Sequence, residues 1–313
     1  MPKKGPRMTV GVVILTLNGA KQIERAICPV LKSPAVTRTL VVDSSSTDET
    51  SVIARRLGAD VEVIARSDFN HGATREAARK LVGTDVVVFL TQDVVPEEGF
   101  VERLVAPILA GEVAVSYARQ LPHRGADFFE AFPREFNYPA QSNTRALSDV
   151  KQYGVYTFFC SDSCAAYSSA ALDQIGGFRP TLTNEDYFAV AALLRAGYKI
   201  RYIAEARVEH SHRYTFFEEF RRYFDTGYVR AQNSWVNELV GSAERRGASF
   251  FWAMVRELLR RRAFLLPYAI LQTWIKLLGF RVGFYSLRGP IWWKRALSGQ
   301  PYYWRSKFYQ PPL

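Results

Sequence analysis

The feature that most constrains the fold is an alternation of short apolar runs with helical segments in the N-terminal third of the chain. The runs predicted as strands cover residues 10–17, 39–42, 61–65, 85–90 and 113–117. One of the helical segments between them, residues 50–57, stops at Gly58, a residue type favoured just beyond a helix. Strands that alternate with helices form a parallel sheet covered on both faces. The sequence therefore predicts an α/β fold with a doubly wound, mostly parallel sheet.

The pattern changes in the middle of the chain. Residues 119–153 are polar and aromatic and are predicted as long loops with one short helix. Residues 156–167 are predicted as a buried strand, and residues 186–196 as an amphipathic helix. Short strands are predicted at 200–203 and 207–209. A hydrophobic fraction of 48% supports a real core for this architecture.

Positive charge is concentrated at the C-terminal end. Residues 245–313 contain 13 Lys and Arg residues and one acidic residue. Arginines interleaved with Trp, Phe and Leu are typical of a helix on an anionic membrane surface, and this is the favoured interpretation. A homo-oligomer contact and a solvated face are alternatives, and nucleic acid is not expected as a partner. Residues 264–280 are predicted to be too short to cross a bilayer, for which about 20 apolar residues are needed. We predict a catalytic domain over 1–225 and a helical basic region over 226–313.

The chain has three cysteines, Cys28, Cys160 and Cys164, and no signal-peptide pattern at its start. An odd number of cysteines in a chain of this size argues against a disulfide framework and fits a reducing compartment. The spacing of Cys160 and Cys164 does not match a zinc knuckle, so we interpret these two as small core residues. We expect a cytoplasmic protein, attached peripherally to the inner face of the cell membrane.

Acidic side chains follow two of the predicted strands at the point where each strand ends. Asp43 precedes three serines, of which Ser45 is one, and Asp93 follows Gln92 in a second such turn. Ligands of open α/β sheets bind at the carboxyl ends of strands. Asp43 is therefore predicted to accept from a nucleotide base or ribose, with helix capping as the alternative. Asp93 is predicted to bind a divalent cation, Mg²⁺ or Mn²⁺, that bridges two phosphates, with Gln92 as a neutral ligand or hydrogen bonder.

Two predicted helix starts also carry candidate site residues. Asp68 precedes a helix that begins near Gly72, and Arg75 lies one turn inside it. At that position Arg75 is either a diphosphate ligand or a surface charge. Glu185 and Asp186 lie at the start of the amphipathic helix. Acidic residues there commonly complement the helix dipole, and a general base that deprotonates an acceptor hydroxyl is the second interpretation.

His210 and His212 flank one serine at the end of a short predicted strand. Alternation along an extended segment places both imidazoles on the same face. A hydrogen-bonded structural histidine is the usual alternative, but a histidine here is also suited to complete the ligand shell of a cation at Asp93. His210 is the preferred ligand of the two, and His71 and His123 receive no role.

Taken in their order along the chain, these residues resemble the inverting glycosyltransferases of family 2, which have the GT-A fold. The resemblance covers roughly residues 9–225. Its motifs are residues 15–18, 42–43, 46–48, 70–75, 91–93, 176–178 and 185–186, with His210. A narrower likeness, to bacterial rhamnosyltransferases that use dTDP-L-rhamnose, lies in residues 119–122, 136–139 and 158–167. Two positions differ: Leu17 stands where the family often has an aromatic residue, and Thr91 or Gln92 replaces the first aspartate of its D-x-D motif.

The resemblance implies a role for each candidate residue. Asp186 would take the proton of the acceptor hydroxyl in a single displacement with inversion. The implied nucleotide-binding residues are Thr16, Leu17, Asp43, Ser45, Asp68, Arg75 and Gln92. Asp93 and His210 would hold the cation. The residues implied near the donor and acceptor sugars are Arg119, Gln120, Asp162, Gly177, Phe178 and Glu185.

The expected function is transfer of a sugar, L-rhamnose by the narrower likeness, from a nucleoside diphosphate to a hydroxyl of a lipid-linked or cell-surface glycan. A UDP-sugar-dependent enzyme of the same family is the nearest alternative. A nucleotidyltransferase would require a glycine-rich phosphate loop where residues 18–22 contain one glycine, and a dinucleotide dehydrogenase would require G-x-G-x-x-G after the first strand. A non-enzymatic binder built on the basic region would leave the acidic strand ends without a purpose.

Overall fold

The computed structural model of the chain describes residues 8–240 and 244–311, so the basic residues at the very start, relevant to the signal-peptide prediction, lie outside it. The strands are β1 (Val10–Thr16), β2 (Arg38–Asp43), β3 (Asp60–Val63), β4 (Val86–Thr91), β5 (Val95–Pro96), β6 (Val115–Leu121), β7 (Asn143–Arg145), β8 (Cys164–Ser168) and β9 (Ile200–Glu209). The α-helices are α1 (Ile23–Leu31), α2 (Thr50–Leu57), α3 (His71–Val82), α4 (Phe100–Leu109), α5 (Phe128–Asn137), α6 (Val150–Tyr153), α7 (Ser169–Gln174), α8 (Glu185–Arg195), α9 (Phe216–Gln232), α10 (Ser234–Val240), α11 (Glu244–Arg261), α12 (Leu266–Tyr285) and α13 (Ile291–Leu297).

These strands form one sheet at the centre of the molecule, in the order β3-β2-β1-β4-β8-β6-β9-β5, with β7 paired to β9. β1 to β4 are parallel neighbours. β8 runs antiparallel to β4 and β6, whereas β6 and β9 are parallel. The predicted α/β fold with a doubly wound, mostly parallel sheet is confirmed, and the antiparallel β8 is inserted between its two parallel groups.

The apolar runs of the sequence become strands because both of their faces are covered. Val12, Val13 and Ile14 of β1 are fully buried, and successive residues contribute to different core clusters, one on each side of the sheet. A strand covered on both faces reads as a continuous apolar run. The three cysteines are free, and Cys160 and Cys164 are buried, as expected of core residues.

The prediction of a strand over residues 156–167 was wrong for most of its length. Residues Gly154–Phe158 form a 3₁₀-helix, and only Cys164–Ser168 is a strand. The buried Arg145 guanidinium donates hydrogen bonds to the carbonyl oxygens of Tyr156 and Phe159, the latter at 2.9 Å. Since these carbonyls are bound to a side chain, they are not available to a neighbouring strand. The turn that follows is the one that carries Asp162.

A close contact between α9 and α12 joins the C-terminal helices to the rest of the chain. A Cβ atom at Gly279 or Gly283 of α12 would collide with the backbone carbonyl groups of Phe220 and Phe224 in α9, and one at Gly227 would collide with that of Phe280. Small residues let two helix backbones approach closely. The predicted boundary between residues 225 and 226 falls inside α9, and the two-domain division stays a prediction.

Helix α12 directs its apolar residues outward. Its buried residues are Ala269, Gln272, Gly279 and Gly283, of which the last three contact α9. Its exposed residues include Leu271 (49%), Trp274 (64%) and Leu278 (56%). The segment Ala263–Tyr285 is 23 residues long, with a mean hydropathy of 1.4 in a window that is 17% buried. The apolar segment predicted at residues 264–280 is therefore shorter than the helix that forms. By length and composition alone, this helix is long and apolar enough to cross a membrane.

Candidate active site

The parallel strands bring two predicted nucleotide-binding residues together. In the register of β1 and β2, Thr16 lies opposite Asp43, and the Thr16 hydroxyl donates to Asp43 Oδ1 at 3.1 Å. The backbone N–H of Ser46 donates to Asp43 Oδ2 at 3.0 Å, and the Ser46 hydroxyl also donates to this carboxylate. Asp43 is 1% exposed. The loop after β2 is thus organised around this carboxylate, which has lone pairs for a further donor.

The other predicted nucleotide-binding residues lie around the same sheet edge with different partners. The Gln92 amide accepts from the Leu17 N–H at 2.8 Å and donates to the Leu17 carbonyl at 3.0 Å, so it holds the chain that leaves β1. Ser45 has a left-handed backbone, with φ of 59°, and donates to the carbonyl of Ile64 at 2.7 Å. Asp68 pairs with Lys307 at 2.8 Å near the surface. The nucleotide contacts of these residues stay predictions.

Arg75 lies in a buried cluster with acidic residues from two other segments of the chain. Its Nε is 2.9 Å from Asp162 Oδ2, and its Nη1 is 2.7 Å from Glu185 Oε1. His71 Nδ1 lies 4.0 Å from the same Glu185 oxygen. The structure therefore places Arg75 with the residues predicted to contact sugars, and its predicted contact with a diphosphate stays a prediction.

The carboxyl groups of this cluster titrate differently because their neighbours differ. Burial and the negative charges of Asp162 and Glu185 raise the pKa of Asp186 well above its ordinary value. Burial also raises the pKa of Asp162, to about 6, although Arg75 opposes the shift. Burial acts in the same sense on Glu185, but there Arg75 and His71 outweigh it and lower the pKa. Asp186 and Asp162 therefore favour their protonated forms, whereas Glu185 favours its carboxylate form.

Hydrogen bonds fix Asp162 and Asp186 relative to each other. The backbone N–H of Asp162 donates to Asp186 Oδ2 at 3.3 Å, and the N–H of Tyr187 donates to Asp186 Oδ1 at 2.7 Å. The Tyr167 hydroxyl donates to Asp162 Oδ1 at 2.6 Å. Asp186 is thus held by backbone donors, whereas Glu185 is ion-paired to Arg75.

A second cluster consists of Asp93, His210 and His212, whose ligand atoms all lie within 4.8 Å of one another. Asp93 Oδ2 is 3.5 Å from His210 Nε2 and 3.1 Å from His212 Nε2, and the two nitrogens are 2.9 Å apart. His210 Nδ1 lies 3.1 Å from Gln120 Oε1. A donated hydrogen bond there leaves the Nε2 lone pair for a cation. Two imidazole nitrogens and one carboxylate fit a divalent transition-metal ion.

Gln120 connects the two clusters. Its Oε1 contacts His210, and its Nε2 donates to the Ser161 hydroxyl at 2.8 Å. Ser161 immediately precedes Asp162 of the acidic cluster. The candidate cation ligands and the candidate base therefore lie on either side of one buried amide, an arrangement suited to a substrate that carries a leaving group at one end and reacts at the other.

Sequence reasoning gave incomplete answers at several positions. His212 was ranked below His210, although the alternation that places both on one face was a signal for it. His71 received no role because its partner Glu185 is far away in the chain, and Tyr167 received none although its partner Asp162 is only five residues away. The ring of Phe178 packs in the core, 5.4 Å from that of Phe89, so its predicted sugar contact stays a prediction. Among residues 8–240 and 244–311, no contact assigns a role to Gly177 or Arg119.

Comparison with known proteins agrees with this architecture. The sequence model described as glycosyl transferase family 2 matches residues 11–176. The chain is 39% identical over 270 residues to the O-antigen chain rhamnosyltransferase WbaN of Salmonella anatum, covering 85% of this chain and 86% of that one. It is 37% identical over 273 residues to the O-antigen chain rhamnosyltransferase RfbN of Salmonella typhimurium, covering 86% and 87%.

A solved structure extends the likeness of fold. The mannosyltransferase PcManGT from Pyrobaculum calidifontis, in complex with GDP-Man and Mn²⁺, has a TM-score of 0.60 and 17% identity, covering 91% of this chain and 88% of that one. At this identity the likeness concerns the fold alone, and it supports the GT-A-type architecture. The resemblance to family 2 and to its bacterial rhamnosyltransferases is confirmed by the sequence matches. The chain belongs to glycosyl transferase family 2 and is a glycosyltransferase.

Proposed function

We propose that this glycosyltransferase moves L-rhamnose from dTDP-L-rhamnose to a hydroxyl of a lipid-linked or cell-surface glycan, with inversion. The observation that carries the proposal is the position of a cation-ligand cluster and an acidic cluster on either side of Gln120. Inverting transfer needs these two functions, charge stabilisation of a leaving diphosphate and deprotonation of an acceptor. The choice of rhamnose rests on the two rhamnosyltransferase relatives.

Asp186 is the proposed general base. A base must be deprotonated and must also bind a proton strongly in the transition state. The raised pKa of Asp186 meets the second need, since burial and two neighbouring carboxylates favour its protonated form. Glu185 is less suited, because its ion pair with Arg75 stabilises the carboxylate. The role of Arg75 in this proposal is to order Asp162 and Glu185 around the base.

Asp93, His210 and His212 are the proposed cation ligands. A cation held there would neutralise charge that develops on the leaving diphosphate. Imidazole nitrogen suits transition-metal ions, whereas Mg²⁺ prefers oxygen ligands. We therefore propose Mn²⁺ over Mg²⁺. Thr16, Leu17 and Asp43 are the proposed base and ribose contacts at the opposite end of the nucleotide.

A thermal-shift panel of dTDP, dTDP-L-rhamnose, UDP, UDP-glucose and GDP-mannose, each with and without Mn²⁺, tests the donor. A ligand stabilises the fold by RT ln(1 + [L]/Kd), about 2.7 kcal/mol at 100 times Kd. We expect the largest rise in Tm from dTDP-L-rhamnose with Mn²⁺. Stabilisation by UDP ligands with no response to dTDP ligands would instead support a UDP-sugar enzyme. Pyrophosphate release from a nucleoside triphosphate and a sugar phosphate would point to a nucleotidyltransferase.

We further propose that the C-terminal helices bind the anionic inner surface of the cell membrane, where a lipid-linked acceptor would be presented. Trp274 and Leu278 face outward on α12, and Trp292 of α13 is 68% exposed. The exposed arginines Arg260 and Arg261 lie at the C-terminal end of α11. Exposed apolar and basic side chains together are the composition of an interfacial helix. This region corresponds to the predicted helical domain over 226–313.

Contacts between α12 and α9 favour a helix that lies on the membrane over one that crosses it. Glu219 of α9 is 3.1 Å from Lys276 and accepts a hydrogen bond from Gln272 at 3.3 Å. A crossing α12 would carry this charged face of α9 into the hydrocarbon, where ionised side chains are costly. If α12 lies at the membrane interface instead, its apolar face is buried in the membrane and α9 stays outside the hydrocarbon.

Flotation with lipid vesicles tests the membrane proposal. We expect the protein to float with phosphatidylglycerol vesicles and much less with phosphatidylcholine vesicles, since each Lys or Arg near anionic lipid contributes about 1 kcal/mol. The triple variant Leu271→Gln, Trp274→Gln and Leu278→Gln should lose at least about tenfold in vesicle affinity, because its lost apolar burial is worth more than about 1.4 kcal/mol.

The matched control for flotation is Val52→Gln with Leu81→Gln, which changes exposed apolar residues on α2 and α3. It should float like the wild type. Equal flotation of the triple variant would contradict the membrane proposal. A triple variant that floats normally but changes from dimer to monomer would show that this face is instead a contact between copies of the chain.

A further inference from the structure

A groove of about 790 Å³ runs along α8 on the side that faces the C-terminal segment. The α8 residues that line the groove include Glu185, Phe188, Ala192 and Arg195. Because they recur every three or four residues, they share one face of the helix. The 11 residues of α8 correspond to about 16 Å at 1.5 Å per residue. The groove therefore extends from the acidic cluster, at Glu185, to the far end of α8.

The side chains of the groove combine apolar surfaces with planar polar groups. Phe188 and Phe308 supply aromatic surface, and Gln232 and Gln310 supply amides. Arg195 lies over the ring of Trp235, 5.9 Å from its centroid. A few placed polar groups on an otherwise apolar lining are typical of small-molecule sites. A glycan has the matching chemistry, because its sugar rings have apolar faces and its edges carry hydroxyl donors and acceptors.

The outer wall of the groove is the C-terminal segment, residues 299–310. Specific contacts hold this segment against the rest of the chain. The Gly299 N–H donates to Asp225 Oδ2 at 2.9 Å. The amide of Gln300 lies 3.3 Å from His71 Nε2, and His71 in turn contacts Glu185. Lys307 pairs with Asp68 at 2.8 Å. The wall is therefore anchored beside the acidic cluster and beside the loop before α3.

The inner end of the groove is shared with the candidate active site. Glu185 lines the groove and pairs with Arg75, and Asp186 is the next residue of α8. A chain of sugars lying along α8 would place its terminal residue at this end. Arg179 lines the groove near the same end, with its side chain exposed, where guanidinium N–H groups are available to hydroxyls.

We propose that this groove binds the acceptor glycan, with the sugar to be modified at Glu185 and the preceding sugars between α8 and the C-terminal segment. The proposal rests on the proposed function, because a glycan acceptor gives the groove its ligand. It assigns specificity for the acceptor to Arg179, Arg195 and Phe308. The C-terminal region then contributes to acceptor choice directly, apart from any contact with a membrane.

Filling the groove is the test. Ala192→Trp places an indole in the middle of the groove, and the exposed helical position Ala106 on α4 provides the control Ala106→Trp. Acceptors are synthetic alkyl-diphosphate glycans of one to four sugars, and the donor is dTDP-L-rhamnose. Two rates are measured, transfer to glycan and donor hydrolysis without glycan. We expect Ala192→Trp to lower the ratio of transfer to hydrolysis at least tenfold, and Ala106→Trp to leave it at the wild-type value.

A second variant, Arg179→Ala with Arg195→Ala, removes exposed side chains and carries the test if Ala192→Trp does not fold. It should raise KM for a three- or four-sugar acceptor at least fivefold while KM for the donor is unchanged. Wild-type ratios and KM values in both variants would overturn the groove proposal. If the wild-type protein neither hydrolyses any nucleotide sugar nor transfers a sugar from one, this result would contradict the proposed function instead. Hydrolysis without transfer to any glycan would contradict the glycan acceptor itself.

Discussion

Replacing Asp186 by asparagine is expected to lower sugar transfer by about 10²–10⁴-fold, the usual contribution of a general base. The amide keeps the shape of the side chain, and its single oxygen can still accept one of the two backbone hydrogen bonds, such as the shorter one from Tyr187. It cannot take a proton from an acceptor hydroxyl. Binding of the donor, measured by calorimetry with dTDP-L-rhamnose, should persist within a few-fold, because the nucleotide contacts are proposed at Thr16 and Asp43.

The matched control is Asp60→Asn, at an exposed ion pair with Arg38 on the far strand β3. It should transfer sugar at the wild-type rate. Near-normal transfer by Asp186→Asn would refute the base assignment. If Glu185→Gln abolished transfer while Asp186→Asn did not, the base would be Glu185, despite the lowered pKa of that group.

The same residue sets the expected pH dependence. The base acts when deprotonated, so transfer should fall as the pH falls through the pKa of Asp186. Because burial and two carboxylates raise this pKa, the decline should begin well above the ordinary value for aspartate, about 3.9. Asp162, with a pKa raised to about 6, contributes to the same limb. A pH profile of kcat that is flat down to pH 5 would contradict a base of raised pKa.

Replacing Asp93 by alanine is expected to have the second largest effect, a loss of about 10²–10³-fold in transfer, comparable to the loss of one group that stabilises charge in a transition state. The variant removes the only carboxylate of the Asp93, His210 and His212 cluster. Calorimetry should show a loss of Mn²⁺ binding in the absence of any nucleotide. Chelation of metal from the wild type should reduce transfer similarly, with Mn²⁺ restoring it better than Mg²⁺.

Two further variants separate ligation from positioning. Gln120→Ala should weaken Mn²⁺ binding by about 10–100-fold, the typical cost of losing a hydrogen bond to a ligating histidine. His123→Ala, a histidine outside the cluster that lies near Glu209, should bind Mn²⁺ like the wild type. Unchanged Mn²⁺ affinity in Asp93→Ala would overturn the proposed cation site.

The N-terminal half was predictable because its signals are local. A β-branched run such as Val12 to Ile14 becomes a strand wherever both of its faces are covered, and a glycine such as Gly58 ends a helix with its left-handed φ of 99°. The predicted strand over 156–167 failed for a nonlocal reason. Its carbonyls are taken by the Arg145 guanidinium, and no pattern within those residues indicates that partner.

The outward orientation of the apolar face of α12 also could not be predicted from the sequence. Composition alone gave a basic and aromatic region, and the favoured membrane interpretation followed from it. Which face points outward depends on Gly279 and Gly283, which allow α12 to approach the backbone of α9. A glycine pair in a helix does not reveal its partner, so the arrangement follows only from the packed structure.

The sequence by itself determined the α/β alternation, the family, and the strand-end carboxylates Asp43 and Asp93, because periodicity and strand ends are properties of neighbouring residues. Only the tertiary structure decided that Arg75 pairs with Asp162 and Glu185, and that Gln120 lies between His210 and Ser161. These contacts join residues far apart in the chain. Their charges set the pKa differences on which the proposed chemistry depends, and Coulomb interactions depend on distance in space rather than on position in sequence.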